Sequence, residues 1–139
     1  MSYFNQSHLE TQVRGLLKRE KLKFVAQQQF DWLIYKDNLS LDFFIPRYGV
    51  AIECQGEQHF RPLDFFGGKE AFIQAIERDK AKRRLCKEHG VKILYFSDLG
   101  IRYPYPVIED PKQLLDAIYA RGEVDDKRWT DPELPLLFE

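Results

Sequence analysis

Two carboxylate residues lie inside two short apolar segments, LSLDFFI at residues 39–45 and VAIECQ at residues 50–55. Asp42 belongs to the first segment and Glu53 to the second, and Gln55 follows two residues later. Like charges opposed across two strands are destabilising unless a raised pKa, a neighbouring Arg or Lys, or a divalent cation neutralises them. Two converging carboxylates with open positions for water are a common way to hold Mg²⁺. The pattern therefore indicates a metal site, with an ion-pair cluster as the alternative.

The segment between these two runs is typical of a tight turn. Pro46 and Gly49 are the first and last residues of a four-residue segment, which predicts a β-hairpin with Ile45 opposite Val50. Counting back along both strands places Asp42 opposite Glu53. Alternation then predicts one polar face, formed by Asp42, Glu53 and Gln55, and one apolar face, formed by Leu41, Phe43, Ile45, Val50, Ile52 and Cys54.

Hydrophobic periodicity predicts the elements that surround this hairpin. The expected elements are a helix from about Ser7 to Glu20 begun by a Ser7–Glu10 capping box, strand structure with an optional hairpin partner over 23–35, a helix over 69–90 that buries Phe72, Ala75, Ile76 and Leu85, a strand over 91–96 and a helix over 112–120. Their order predicts an α/β domain with a mixed sheet flanked by helices. We expect this domain to occupy residues 1–122 and an acidic tail residues 123–139.

Composition limits the class of protein. With 139 residues and 44% hydrophobic content, the chain suits one domain. The N-terminus lacks a signal-peptide pattern and no stretch reaches the roughly 20 apolar residues of a membrane span, so we expect a soluble, cytoplasmic protein with reduced thiols. Residues 1–108 contain 17 basic and 13 acidic residues, whereas 109–139 contain 4 and 9. A mildly basic body is compatible with a polyanion partner.

The acid on one strand followed by Glu53-x-Gln55 on the next resembles the PD-(D/E)XK nuclease superfamily. The resemblance extends through DFFIPRYGVAIECQGEQHFRPLDFFGG and ERDKAKRRLCKEHGVKILYF, over roughly residues 7–98, to small bacterial and phage endonuclease-like proteins related to restriction and very-short-patch-repair endonucleases. It implies a restriction-endonuclease-like fold and a cytoplasmic endonuclease. It also implies that Asp42 and Glu53 bind Mg²⁺ or Mn²⁺ and that a metal-bound water hydrolyses DNA phosphodiester bonds.

The same resemblance suggests roles for two further residues. Glu10 matches the acid that many members carry on the first helix, where it completes the metal shell or orients a water; its capping-box role is the structural alternative. Gln55 stands where the family usually has Lys, and it can position a water or phosphate but cannot supply a positive charge. Arg78 and Lys82, four residues apart on the following helix, are the candidates for that charge.

Other polar residues carry weaker signals. His59 is a candidate base or phosphate contact, or a surface-loop histidine. The expected DNA-binding cluster is Arg78, Lys80, Lys82 and Arg83, with a solvated helix face as its alternative. Cys54-x4-His59 and Cys86-x2-His89 also contain the ligand types of a structural zinc site.

The expected function is therefore a Mg²⁺-dependent endodeoxyribonuclease with catalytic residues Asp42, Glu53, Gln55, Glu10 and His59. A non-catalytic nucleic-acid-binding module of the same fold and a metal-dependent hydrolase acting on RNA are the alternatives. A homodimer or a larger nucleoprotein assembly is left open.

Overall fold

The computed structural model describes residues 4–64 and 67–123. Along these residues the elements are α1 (Phe4–Arg19), β1 (Val25–Gln28), β2 (Ile34–Tyr35), β3 (Asp37–Asn38), β4 (Leu41–Ile45), β5 (Val50–Cys54), a short 3-10 helix (Glu57–His59), α2 (Gly68–Glu88), β6 (Lys92–Phe96) and α3 (Pro111–Tyr119). Apart from Glu123, the expected acidic tail lies outside the described residues. None of the described helices is long and apolar enough to span a membrane.

The main sheet contains four strands in the order β1-β4-β5-β6. Strand β4 is antiparallel to β1 and to β5, whereas β6 is parallel to β5. Parallel neighbours need a crossover connection, and α2 supplies it between β5 and β6. Strands β2 and β3 form a separate two-stranded sheet. This mixed sheet with its helices confirms the predicted α/β class.

One face of the sheet is covered by α1 and α3. Its core includes Leu9 and Leu17 of α1, Leu114 of α3, and Phe43 and Ile52 of the hairpin, all of them buried. Phe43, Ile45, Val50, Ile52 and Cys54 share this face as predicted, because a pleated strand directs every second side chain to the same face. This cluster holds the hairpin against the two helices.

The opposite cluster contains residues of α2 and corrects one predicted position. Cys86 is buried in it with Ala51, and Phe44 and Leu85 pack against it. Leu41 also belongs to this cluster, so its predicted place beside Phe43 is wrong. Backbone pairing of β4 with β5 runs from Ile45 to Phe43, and at the next level side chains take over hydrogen bonds between the strands. The strict alternation of side chains between the two faces of β4 therefore ends at Asp42.

The predicted start of the first helix is also wrong. Helix α1 begins at Phe4, so Ser7 and Glu10 are already inside it and do not form a capping box. The Ser7 carbonyl accepts a hydrogen bond of 3.0 Å from the Thr11 hydroxyl, four residues later. Short polar residues are tolerated within helices as well as at their caps, so the capping pattern did not mark the helix start.

Two further predictions need correction. Residues 23–35 contain two strands, but β1 and β2 lie in different sheets and do not pair with each other as a hairpin, because β1 pairs with β4. Helix α2 matches the predicted range closely, but its four predicted core residues (Phe72, Ala75, Ile76 and Leu85) are only half-buried, and Ala81 and Cys86 are the buried ones. Phe72, Ala75 and Ile76 border open clefts in the first half of α2, and Leu85 is a partly buried residue packed against the cluster that contains Cys86.

Candidate active site

The turn between β4 and β5 sets the register of the hairpin. The Gly49 N–H donates a hydrogen bond of 3.0 Å to the Ile45 carbonyl, and Gly49 has a φ of 65°, which glycine adopts without strain. The pairs Ile45–Val50, Phe44–Ala51 and Phe43–Ile52 confirm the predicted register. Continuing that register by one step brings Asp42 and Glu53 to the same level.

The two carboxylates bind the backbone of the opposite strand. Glu53 Oε2 accepts a hydrogen bond of 2.7 Å from the Asp42 N–H, and Asp42 Oδ2 accepts one of 2.8 Å from the Cys54 N–H. Each side chain therefore reaches into the gap between the strands. Glu53 is 4% exposed, which places its charge out of bulk water. The structure thus brings together the two residues that the sequence proposed as metal ligands.

A lysine from α2 neutralises one of these charges. Lys82 Nζ lies 2.5 Å from Glu53 Oε1. Burial alone would lower the pKa of Lys82, but the charge and hydrogen bond of Glu53 outweigh it, and the pKa is raised. Of the two candidates Arg78 and Lys82, the residue that meets the carboxylates is therefore Lys82. Arg78 is exposed and lines a groove beside β2 and β3.

The environment of Asp42 changes the pKa of its carboxyl group. Burial, then the charge of Glu53 and, to a smaller extent, that of Glu10 raise the pKa of Asp42, while the Cys54 N–H and Lys82 lower it, and the net result is a pKa of about 8. Near neutral pH, metal-free Asp42 therefore holds a proton. Glu10 lies close enough on α1 to act on Asp42 through its charge, although it is only half-buried.

Gln55 is held by the strand that follows the site. Its N–H donates to the Phe96 carbonyl at 2.9 Å, and its carbonyl accepts a hydrogen bond of 2.6 Å from the Ser97 hydroxyl. The side-chain oxygen accepts from the Tyr105 hydroxyl at 3.2 Å, and Gln55 is 1% exposed. Because buried polar groups are hydrogen-bonded, these contacts hold Gln55 and its side-chain amide in one orientation.

His59 belongs to a separate group of polar side chains beside the carboxylates. Its Nδ1 lies 3.2 Å from Asp79 Oδ2, and its Nε2 lies 3.0 Å from Gln6 Oε1. Gln58 donates to the same Gln6 oxygen at 2.6 Å, which fixes the orientation of the Gln6 amide. Both ring nitrogens of His59 therefore have partners within hydrogen-bond distance, which hold the ring in one orientation. Its role as a base or phosphate contact stays a prediction.

The remaining residues of the expected DNA-binding cluster lie on the outer side of α2. Lys80 and Arg83 are exposed. The Arg83 guanidinium carbon lies 5.6 Å from the Tyr95 ring centroid and 4.9 Å from that of Tyr105. Arg83 therefore packs against the rings of Tyr95 and Tyr105, whereas Lys82 forms the ion pair with Glu53.

The alternative zinc site is not assembled. Cys54 is buried in the cluster under α1 and α3, and Cys86 is buried in the cluster under α2, on the other face of the sheet. The His89 ring is stacked on Trp32, with centroids 4.1 Å apart. Two cysteines on opposite faces cannot share one tetrahedral ion, so the sequence spacing was misleading here.

The carboxylates suit a hard cation. Within residues 4–64 and 67–123 there is no group of three His, Cys, Asp or Glu side chains arranged to hold a metal. Mg²⁺, however, commonly binds through one or two carboxylates and keeps several waters. A divalent cation bound here would take the place of the proton that metal-free Asp42 holds, while Lys82 would remain paired with Glu53. Asp42 and Glu53 therefore fit Mg²⁺ or Mn²⁺.

Several residues of this region were absent from the sequence prediction. Tyr105 reaches Gln55 from the loop after β6, and Asp79 and Gln6 hold His59 from two different helices. Asp79 is three residues before Lys82, and this spacing on one helix face was the one local signal available. The contacts of Gln6 and Tyr105 depend on tertiary packing.

The chain is similar to segments of viral proteins. No family model matches it. It is 42% identical over 59 residues to uncharacterized protein 033L of Invertebrate iridescent virus 3, covering 42% of this chain and 30% of that protein. Uncharacterized protein 307L of Invertebrate iridescent virus 6 is 31% identical over 86 residues, 61% and 40% of the two chains. Uncharacterized protein 094L of Frog virus 3 is 36% identical over 58 residues, which cover 40% of this chain and 37% of that protein. The chain thus spans well under half of each relative.

Proposed function

We propose that this chain is a metal-dependent endonuclease of the PD-(D/E)XK superfamily that hydrolyses DNA phosphodiester bonds with Mg²⁺ or Mn²⁺. The observation that carries the proposal is the pair of carboxylates on adjacent hairpin strands, with Lys82 Nζ 2.5 Å from Glu53. The mixed sheet, in which this hairpin is followed by α2 and a parallel strand, supports a restriction-endonuclease-like arrangement.

The chain's own groups have defined parts in this proposal. Asp42 and Glu53 would hold the cation, and Lys82 orients the Glu53 carboxylate through an ion pair and hydrogen bond. When bound, the cation would polarise a phosphate oxygen and provide a water that is nucleophilic near neutral pH. Gln55, fixed by Tyr105, would orient a water or phosphate by hydrogen bonding.

The substitution at position 55 has a chemical explanation in this arrangement. A lysine at the third position of the family pattern would supply a positive charge near the phosphate, which glutamine cannot do. Lys82 brings an ammonium group to the same carboxylates from α2. The site would therefore still contain one lysine charge, which Lys82 of α2 would supply in place of a lysine on the strand at position 55.

A nicking assay tests the proposal. Wild type, Asp42→Asn and Glu53→Gln are incubated with supercoiled plasmid, with and without Mg²⁺, beside the matched surface control Asp116→Asn on α3. We expect metal-dependent nicking by the wild type and the control and its loss in both site variants. Equal background in all four proteins would contradict the proposal and favour a non-catalytic module of the same fold. Single-stranded DNA and RNA substrates run in parallel test for an RNA hydrolase.

A further inference from the structure

A cleft of about 360 Å³ lies beside the carboxylates, between the 3-10 helix, α2 and the loop after β6. Its walls include His59, Phe60, Ile76, Asp79, Arg83 and Tyr105. The volume falls within the range of roughly 300–1,000 Å³ found for small-molecule sites. None of these residues has a part in the proposed coordination of the cation, so the cleft calls for a separate explanation.

Aromatic rings and a cation form one side of this cleft. The ring centroids of Tyr105 and Phe60 are 5.8 Å apart, and those of Tyr105 and Tyr95 are 4.7 Å apart. The Arg83 guanidinium lies over the Tyr105 ring. Flat rings with arginine beside them bind nucleobases by stacking, and every base offers a flat face of this kind.

Polar groups and exposed cations complete the lining. Asp79 Oδ2 lies 3.2 Å from His59 Nδ1, and both side chains line the cleft. Lys80 also lines the cleft and, like Arg83, is exposed. An apolar stacking wall with a few polar groups and basic side chains at the mouth matches the chemistry of a nucleotide, whose base is flat and whose phosphate is anionic.

Two contacts join the cleft to the carboxylate site. The Tyr105 hydroxyl donates to Gln55 Oε1 at 3.2 Å, and Gln55 is two residues from Glu53. On α2, the cleft residues Asp79 and Arg83 flank Lys82, which holds Glu53. A DNA strand with one phosphate at the carboxylates would therefore place a neighbouring nucleotide within reach of the cleft.

We propose that this cleft binds an unpaired DNA base next to the phosphate at the carboxylates, with the base stacked on Tyr105 and Arg83 contacting the backbone. This inference rests on the proposed nuclease function. In a duplex, the base would have to be unpaired and unstacked, at a cost of a few kcal/mol. The chain therefore prefers single-stranded DNA over perfect duplex.

Fluorescence binding in EDTA tests this inference without requiring cleavage. The probes are a short single-stranded oligodeoxyadenylate that carries 2-aminopurine, the same strand in a perfect duplex, and an all-abasic strand of equal length. We expect the single strand to bind most tightly, with quenching of 2-aminopurine by stacking. Tyr105→Leu should weaken this binding about 5- to 150-fold, whereas Tyr119→Leu on α3 should bind like the wild type.

The outcomes separate this inference from the proposed function. Equal affinity of the wild type for the base-containing and abasic strands would overturn the cleft assignment, even if plasmid nicking is observed. Base-dependent binding that survives Tyr105→Leu would overturn it as well. Base-dependent binding that is lost in Tyr105→Leu, in a protein that does not nick plasmid, would support the cleft and contradict only the nuclease proposal. Because the abasic comparison uses wild-type protein, the test does not depend on the folding of any variant.

Discussion

Replacing Asp42 by Asn is predicted to stabilise the metal-free protein progressively as the pH rises. Burial and the charge of Glu53 raise the pKa of Asp42 from 3.8 to about 8. Between these two values the folded chain holds a proton that the unfolded chain releases. Each pH unit in this interval therefore lowers the stability of the wild type, because the unfolded state binds fewer protons. Asparagine carries no such proton and its oxygen can still accept the Cys54 N–H.

The magnitude follows from one proton bound on folding. The slope is about 1.4 kcal/mol per pH unit for one proton, so the advantage of Asp42→Asn over wild type should grow by about 3 kcal/mol between pH 5 and pH 7. The window begins above the unfolded-state pKa of 3.8 and closes near 8, where the folded carboxyl ionises. The predicted quantity is the change with pH in the difference in unfolding free energy between Asp42→Asn and wild type. A weaker hydrogen bond to the Cys54 N–H would lower the stability of the variant equally at each pH, so it does not affect this change.

Urea unfolding in EDTA at pH 5, 6 and 7 measures this change. Wild type and Asp42→Asn are compared with Asp116→Asn, an exposed acid on α3 whose difference from wild type should remain nearly constant. The reasoning is refuted if the difference between Asp42→Asn and wild type is flat across this range or falls as the pH rises. Such a result would mean that Asp42 is ionised and already compensated in the metal-free protein.

Three further perturbations test the packing of the site and its metal. Lys82→Met should destabilise the protein by about 3–5 kcal/mol in urea, because it leaves the buried Glu53 charge unpaired, and adding Glu53→Gln should restore most of the loss. In calorimetry, Mg²⁺ at a hundred times its Kd should stabilise the wild type by about 2.7 kcal/mol but leave Glu53→Gln unchanged, whereas equal stabilisation of both would place the ion elsewhere. Leu9→Ala should cost about 2–5 kcal/mol in urea, and a loss below 1 kcal/mol would contradict its place in the core.

The hairpin was predictable because several local signals agree at the same residues. Pro46 and Gly49 specify a turn, and the apolar alternation of the two strands specifies which residues face each other. A slip by one residue would have moved Asp42 or Glu53 into the apolar core, so the register had one favourable solution. The crossover from β5 through α2 to a parallel β6 follows from the same reasoning, because a long helix separates two buried strands.

The partners of these residues were less predictable because they depend on tertiary distances. Arg78 and Lys82 have the same helical phase in the sequence, and only the packing of α2 on the sheet selects Lys82 for Glu53. Tyr105 lies 50 residues after Gln55 in the chain and reaches it from a loop whose path no local pattern specifies. Leu41 was misplaced because side-chain hydrogen bonds from Asp42 and Glu53 interrupt the regular pairing just beside it.

Mn²⁺ soaked into crystals of the protein can be located by its anomalous scattering. We predict an anomalous peak between β4 and β5, within bonding distance of a carboxylate oxygen of Asp42 and one of Glu53, and its absence in Asp42→Asn crystals. A well-occupied peak elsewhere, with Glu53 still bound to Lys82 and the Asp42 N–H and with Asp42 still bound to the Cys54 N–H, would contradict cation binding by these two carboxylates.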